Sequence, residues 1–490
     1  MSTEKNYFSY HIFYFPFKWN VECSHEMNLS EQIDINRIEL TTSGDWERTI
    51  HPVGEDAMNL YNEKNYYYKF VHRILYDNKN KESMMIHLER QEPQNATKEV
   101  RYVIKTKKRE TPYSLKVEAI NLNLYATGVG FLSFYLGNDK ENQSSPDDIL
   151  YINQFGRRIM PPFFADIVNR IETAEYIQIE GLGEDTAFHE NFNYTVEDAW
   201  KPASFITKLI NGAATNISFE PVIDDRMFVT CWYKNDKLCK SYMGCLDTFM
   251  REGSDNNFWY RFMFVDSDSC TCLNDEMRYN LLKKHTYPRW EGRKSLYGCT
   301  RYSMMYLADT GAPDYLFTTF ETIYARMVEL VLMQRASMLR FSEEVTKVSY
   351  LSNKEIEVIS KRVSSLYKEY IHFVNQIYFR EVTAQEQGIE LYDMLQKNLQ
   401  MEEYVKDLDE EIGELHQYIS LMDDRDRNKK ATLLNNLATF FLPISVITGF
   451  WGMNKIYDVI GATDFEWQVV TLIVGALVAL CFIYNRKRKL

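Results

Sequence analysis

The sequence predicts an α/β cytoplasmic domain, then long stalk helices, then two C-terminal transmembrane α-helices. Three observations carry this expectation. Residues 1–310 hold short stretches rich in aromatic and β-branched residues, separated by glycine turns. Residues 311–432 carry little proline or glycine and repeat apolar residues at helical spacing. Residues 433–490 hold two uncharged apolar segments and end in a basic tail.

In the first region, strands are expected at Tyr10–Phe15, Tyr66–Tyr76, Arg101–Lys107, Gly130–Tyr135, Tyr176–Glu180 and Phe228–Tyr233, in a largely antiparallel sheet. Phe8–Trp19 is aromatic but too short to cross a bilayer, and the opening Met-Ser-Thr-Glu-Lys lacks the basic start of a signal peptide. Catalytic constellations are not apparent. Gly181-Leu-Gly183 is a fragment of a dinucleotide loop, and a Gly-rich loop ending in Lys-Ser/Thr does not occur. Of eight cysteines, Cys270-Thr-Cys272 lacks zinc-ribbon spacing and Cys23-Ser-His25 is weaker, so reduced thiols are expected rather than a zinc site. A net charge of −13 argues against a nucleic-acid polymer as partner.

Phe317–Val348 and Lys354–Glu381 read as two helices. Thr383-Ala384-Gln385-Glu386 fits a capping box opening a third, which the lack of proline lets run into the first apolar segment. Leu408, Ile412, Leu415, Ile419 and Met422 repeat at four-three-four-three, a heptad seam for helices packed about an axis. Glu402, Glu403, Asp407, Asp409, Glu410, Glu411 and Glu414 read as a solvated face that can also attract cations.

Trp467–Tyr484 is uncharged and, as a helix, covers roughly 27 Å with an aromatic ring at each end. Leu433–Trp451 is similar in length but different in character. Thr432, Asn435, Thr439, Leu442, Ser445, Gly449 and Gly452 fall on one face of it, and that face is mainly polar or small. Such a face turns from lipid, either towards water in a ring of several copies or into a dry packing seam. Pro443 frees the carbonyl of Thr439 and bends the helix there. Basic residues Arg425, Arg427, Lys429 and Lys430 precede this span, and Arg486, Lys487, Arg488 and Lys489 follow the second. The loop 455–466 carries one lysine and three acids. The positive-inside rule therefore places both termini in the cytoplasm and the loop outside.

Between the spans stands Trp451-Gly452-Met453-Asn454. This string resembles the aromatic-Gly-Met-Asn signature of CorA-type divalent-cation channels, and the order of stalk, two spans and basic tail resembles that family too. The resemblance implies a homo-oligomer, a pentamer, in the cell inner membrane. It also implies Mg²⁺ or another divalent cation as the transported ion, with a cytoplasmic domain that gates the pore. Asn454, with the carbonyls of Gly452 and Met453, would hold the hydrated cation at the outer mouth. Gly449 and Ser445 would face the pore, Leu442 and Leu434 would form apolar constrictions, and Asn428 would lie near the cytoplasmic entrance. The chain departs from the pattern at Lys455, a cation directly after the motif, which Asp458, Asp464 and Glu466 would offset.

The aromatic opening Tyr10–Trp19 and the large first domain resemble the CorA-like proteins of type III CRISPR systems. That resemblance implies a nucleotide second messenger as ligand and an antiviral role at the membrane. Arginine suits phosphate and aromatic rings suit adenine, so Arg157 and Arg158, and Arg301 with Tyr302 in the stretch Tyr297–Tyr302, are the candidate ligand residues. Ordinary surface arginines and core tyrosines are the plainer reading of each. A housekeeping Mg²⁺ uptake channel is the alternative within the same class. A membrane-anchored enzyme or a scaffold is the alternative from another.

Overall fold

In a computed structural model of the chain, residues 7–451 are described apart from 23–27, 42–43, 50–56, 77–82, 92–98, 161–173, 183–187, 193–200, 225, 252–256 and 350–355; residue 475 is described as well. The chain divides into two compact units, residues 1–351 with 361–413, and residues 352–360 with 414–490.

The first unit is built on a thirteen-stranded sheet. Its strands are β1 (Ser9–Val21), β2 (Trp46–Arg48), β3 (Met85–Arg90), β4 (Arg101–Thr106), β5 (Tyr113–Tyr125), β6 (Val129–Asn138), β7 (Ala174–Glu180), β8 (His189–Asn191), β9 (Ile217–Pro221), β10 (Phe228–Lys234), β11 (Thr286–Tyr287), β12 (Ser295–Cys299) and β13 (Ser303–Ala308). The main path runs β11-β12-β13-β10-β1-β6-β5-β4-β7-β8. All of its pairings are antiparallel except β10 with β13. An α/β domain with a largely antiparallel sheet is therefore present.

β1 occupies the middle because both of its faces are apolar. Phe13, Phe15, Phe17 and Trp19 enter the core on one face, and Tyr10, Ile12 and Tyr14 enter a second core on the other. A strand with such residues on both faces belongs inside a covered sheet. The first core is closed by helices such as Pro146–Gly156 and Ser204–Ala213. The second is closed by the helix Ala325–Ser349, which brings Met327, Val328, Val331 and Met338 down onto the sheet. The β5–β6 hairpin turns at Gly128, whose φ is +74°, and a Cβ there would come within 2.6 Å of Arg340 and Ile33.

Five of the six expected strands occur, at β1, β4, β6, β7 and β10. Tyr66–Tyr76 does not form a strand. Tyr66 ends the helix Ala57–Tyr66 and His72–Leu75 forms a short helix. The aromatic run mimics a strand, but its rings serve tertiary contacts: Tyr67 donates to the carbonyl of Ile323, and the Tyr68 amide donates to that of Val382 (2.9 Å).

The helical region begins at Asp314–Thr319 and passes through a π turn, Phe320–Tyr324, into Ala325–Ser349. The extra residue of the π turn presents Glu321 to the Tyr10 hydroxyl (2.7 Å). A second arm helix is Ile356–Gln376. Downstream, the structure corrects the uninterrupted stalk. Glu386–Asn398 and Met401–Trp451 are separate helices, parted at Gln400, whose φ of +55° is left-handed. The expected capping box is also absent: Thr383 accepts from the Gln385 amide (3.2 Å), and the helix starts one residue later without a side-chain cap.

Candidate functional site

The long helix Met401–Trp451 carries most of the residues singled out for ion passage. In its first turns Leu408 and Ile412 are buried, while Glu402, Glu403, Asp407, Asp409, Glu410 and Glu411 are exposed, so the charge run is a solvated face over an apolar stripe. In the second unit the stripe continues through half-buried Leu415 and Met422 and buried Ile419. Exposed Glu414 extends the acidic face. Arg427 pairs with Asp423 (2.9 Å) and Lys430 with Asp426 (3.5 Å), both one turn apart along the helix.

Asn428 begins the stretch assigned to the pore, and its carbonyl accepts from the Thr432 hydroxyl (2.7 Å). The Thr439 hydroxyl donates to the carbonyl of Asn435 in the same way (2.6 Å). The two threonine hydroxyls of the polar stripe are thus satisfied within their own helix, which lets them sit in an apolar setting at low cost. Leu434 is 64 % exposed, and Leu433, Leu437 and Phe441 are exposed beside it. The backbone is helical through Trp451. The side chains of Leu442, Ser445 and Gly449, and the whole of Gly452, Met453 and Asn454, lie outside the described residues. The second span, Trp467–Tyr484, also lies outside them apart from residue 475. No helix of the described residues is long and apolar enough to cross a membrane.

In the first unit, Arg301 and Tyr302 lie in the tight turn between β12 and β13, closed by the Thr300 amide donating to the carbonyl of Ser303 (2.9 Å). Both line a cavity of about 320 Å³, together with Pro16, Asp224, Arg226 and Arg335. Tyr302 is 42 % exposed there. The amide of Val229 donates to the carbonyl of Tyr302 (3.1 Å), so the turn is fixed to the start of β10. Arg157 and Arg158 are buried and do not line this cavity. Their backbone joins neighbouring segments: the Arg157 carbonyl accepts from the Met227 amide (2.9 Å), and Arg158 forms an isolated bridge with Arg226, while the Arg157 guanidinium donates to Gln154 (3.5 Å). Tyr297 is a core residue packed edge-on to Tyr306.

Arg226 and Arg335 were not singled out in the sequence. Arg226 stands just before β10, in an Asp-Asp-Arg string that resembles any polar loop. Arg335 did leave a signal, as an arginine inside the otherwise apolar face of Ala325–Ser349. Among the described residues no three His, Cys, Asp or Glu side chains are grouped to hold a metal.

A broad α/β sheet domain, a pair of arm helices and a long helix leading to an apolar stretch define a protein with a large first domain and a C-terminal helical module. Residues 309–486 match the family model described as CorA-like Mg²⁺ transporter protein, and over these residues the chain is similar to that family. The description of that model names Mg²⁺ transport. No curated protein and no solved structure matches the chain.

Proposed function

We propose that the chain is one subunit of a pentameric divalent-cation channel in the cell inner membrane, with both termini cytoplasmic and the first domain governing the pore. The observation that carries this reading is the reach of the family match: residues 309–486 contain the arms, the long helix and Trp451-Gly452-Met453-Asn454.

Mg²⁺ gives up its water shell reluctantly, so a ring of neutral amides from Asn454 selects it by hydrogen-bonding that shell. Carbonyls of Gly452 and Met453 add further acceptors. Ser445 and Gly449 keep the path wet, and rings of Leu442 and Leu434 close it by dewetting. Asn428 marks the inner entrance. Within this class we favour an antiviral effector opened by a nucleotide second messenger over constitutive Mg²⁺ uptake. What favours it is that Arg301 and Tyr302, picked for phosphate and base recognition, line one cavity.

The test is Mg²⁺ entry into proteoliposomes carrying the wild type or Asn454→Ala. Wild-type flux that the substitution abolishes, or strips of its preference for Mg²⁺ over Na⁺, is the expected result. A folded Asn454→Ala protein with unchanged flux and selectivity would overturn the channel reading. Rescue of a Mg²⁺-uptake-deficient strain by the unstimulated wild type would instead favour constitutive uptake.

A further inference from the structure

Between Glu386 and Leu442 the chain has no proline, and its only glycines are Gly388 and Gly413. Nothing in this composition asks for a break. The helix Glu386–Asn398 nevertheless ends, and Met401–Trp451 starts afresh beyond Gln400, whose φ is +55°. The Tyr404 amide donates to the Gln400 carbonyl (3.1 Å) and opens the new helix, so the amides of Met401, Glu402 and Glu403 have no helical carbonyl behind them. A continuous helix would satisfy those amides and remove the left-handed strain. Local forces therefore favour a straight helix, and tertiary contacts hold the bend.

Those contacts are few. The buried Asn398 side chain donates to the Cys299 carbonyl (2.7 Å), which also accepts from His285 Nδ1 (2.8 Å). The Tyr370 hydroxyl donates to the Val405 carbonyl (3.1 Å). Leu399, Met401, Leu408 and Ile412 lie in the second core. Their seating is loose: a cavity of about 160 Å³ lies between Tyr404 and Leu408 on one side and Met338 and Leu339 of the first arm on the other. A close-packed junction would leave no such space.

The heptad spacing crosses the break without a slip. Leu391, Met394, Asn398, Met401, Val405 and Leu408 recur at three-four-three-four-three, and Ile412, Leu415, Ile419 and Met422 carry the same phase onwards. A straight helix would thus present one unbroken seam to neighbouring copies. Leu408 and Ile412, 4 % and 0 % exposed on the chain's own core, are also members of that seam. Two alternative burials for the same side chains make an element bistable. We propose that Gln400 is a two-state joint. Bent, it keeps Leu408 and Ile412 on the chain's own second core, an autoinhibitory contact that withholds them from the seam. Straight, it fuses the two helices and adds these residues to the seam between copies. The straight state rests on the homo-oligomeric reading given above; the strained joint does not.

The test is the initial rate at which full-length Leu408→Cys protein in lipid vesicles cross-links between copies under mild oxidation, counted over the wild type with its native cysteines. Leu408→Cys alone gives a slow rate, because the bent state predominates. Adding Asn398→Ala removes one hydrogen bond from the bend and raises the rate about fivefold. Adding Gln400→Gly relieves the left-handed strain of the bend and weakens the straight helix, so the rate falls by about tenfold. Gln400→Ala keeps that strain but is a better helix former, and it moves the rate the same way as Asn398→Ala. It stands in if Asn398→Ala fails to fold.

Rates indifferent to positions 398 and 400, or moving in the opposite directions, overturn the joint. Ile419→Cys, further along the seam, separates this failure from that of the assembly. Cross-linking through Ile419→Cys but never through Leu408→Cys, in any of these backgrounds, overturns the joint alone. Cross-linking through neither overturns the homo-oligomeric reading, and the straight state with it.

Discussion

Two histidines in the first unit are fully enclosed, and their chemistry makes stability depend on pH. His11 lies between the Ser9 hydroxyl (2.9 Å) and the Asn153 side chain (2.7 Å), and burial lowers its pKa to about 4. His87 faces Asn123 (2.5 Å), and burial, aided by Arg326, lowers it to about 3. Both are therefore neutral in the folded chain throughout ordinary conditions. The unfolded chain protonates them below about 6.5, while the folded chain resists down to 3–4. Across that window the unfolded state binds more protons, so stability is complete above pH 6.5 and is lost as pH falls. Each group contributes on the order of a few kcal/mol at the full shift. Thermal midpoints measured from pH 7 to pH 4 should fall steeply, and His87→Gln should flatten the slope. A midpoint independent of pH over this range would contradict the account. At this scale the sequence was only partly readable. Arg301 and Tyr302 stood out as a basic–aromatic pair, whereas Arg226 and Arg335 become neighbours of that pair only through pairing and helix packing.

Helices and strands follow their own rules, and here the sequence was most legible where one force dominates. β1, β4, β6, β7 and β10 were recognisable because their β-branched and aromatic residues are buried against the sheet's two cores. The arm helices were recognisable from their apolar periodicity, with Leu366, Tyr370 and Phe373 packing on one side of the second. Tyr66–Tyr76 misled because aromatic residues raise strand propensity while contacts with Ile323 and Val382 hold the chain in helical turns. The break at Gln400 was invisible, since glutamine is a good helix former and left-handed backbone there is a consequence of packing. That conformation costs a non-glycine residue roughly 1–2 kcal/mol. Gln400→Gly should therefore raise the thermal midpoint of the full chain, and a drop would show that the glutamine side chain contributes more than its backbone strain removes. Its Nε2 lies 3.4 Å from Glu403, an exposed contact of little weight.

For the molecule as a whole, the helix stretch 424–439 is exposed or half-exposed on every side in a single copy, leucines included. Large apolar residues on an isolated helix call for a covering surface, and the pentameric reading supplies one from neighbouring copies and lipid. Cysteines introduced at Asn428 and at Leu434 should cross-link between copies in lipid under mild oxidation, giving a ladder up to the full assembly. A protein that stays monomeric in that experiment would sink the assembly and with it the conduit. Residue patterns did not disclose the grouping of residues 361–413 with the sheet as one compact unit. That grouping comes from the second core, which Leu391, Tyr392 and Leu395 share with residues as distant in sequence as Tyr10 and Met85.

The placement of β1 has a consequence for biosynthesis. Its residues pair with Val129–Asn138 on one edge and with Phe228–Lys234 on the other. A ribosome adding about 5–20 residues per second reaches the latter on the order of 10–50 s after making β1. Through that interval a thirteen-residue strand, apolar on both faces, keeps at least one hydrogen-bonding edge open to other nascent chains. Yield in a heterologous host should therefore respond to chaperone supply and to slower growth temperature, and the sheet can close before the apolar C-terminal stretch has left the exit tunnel.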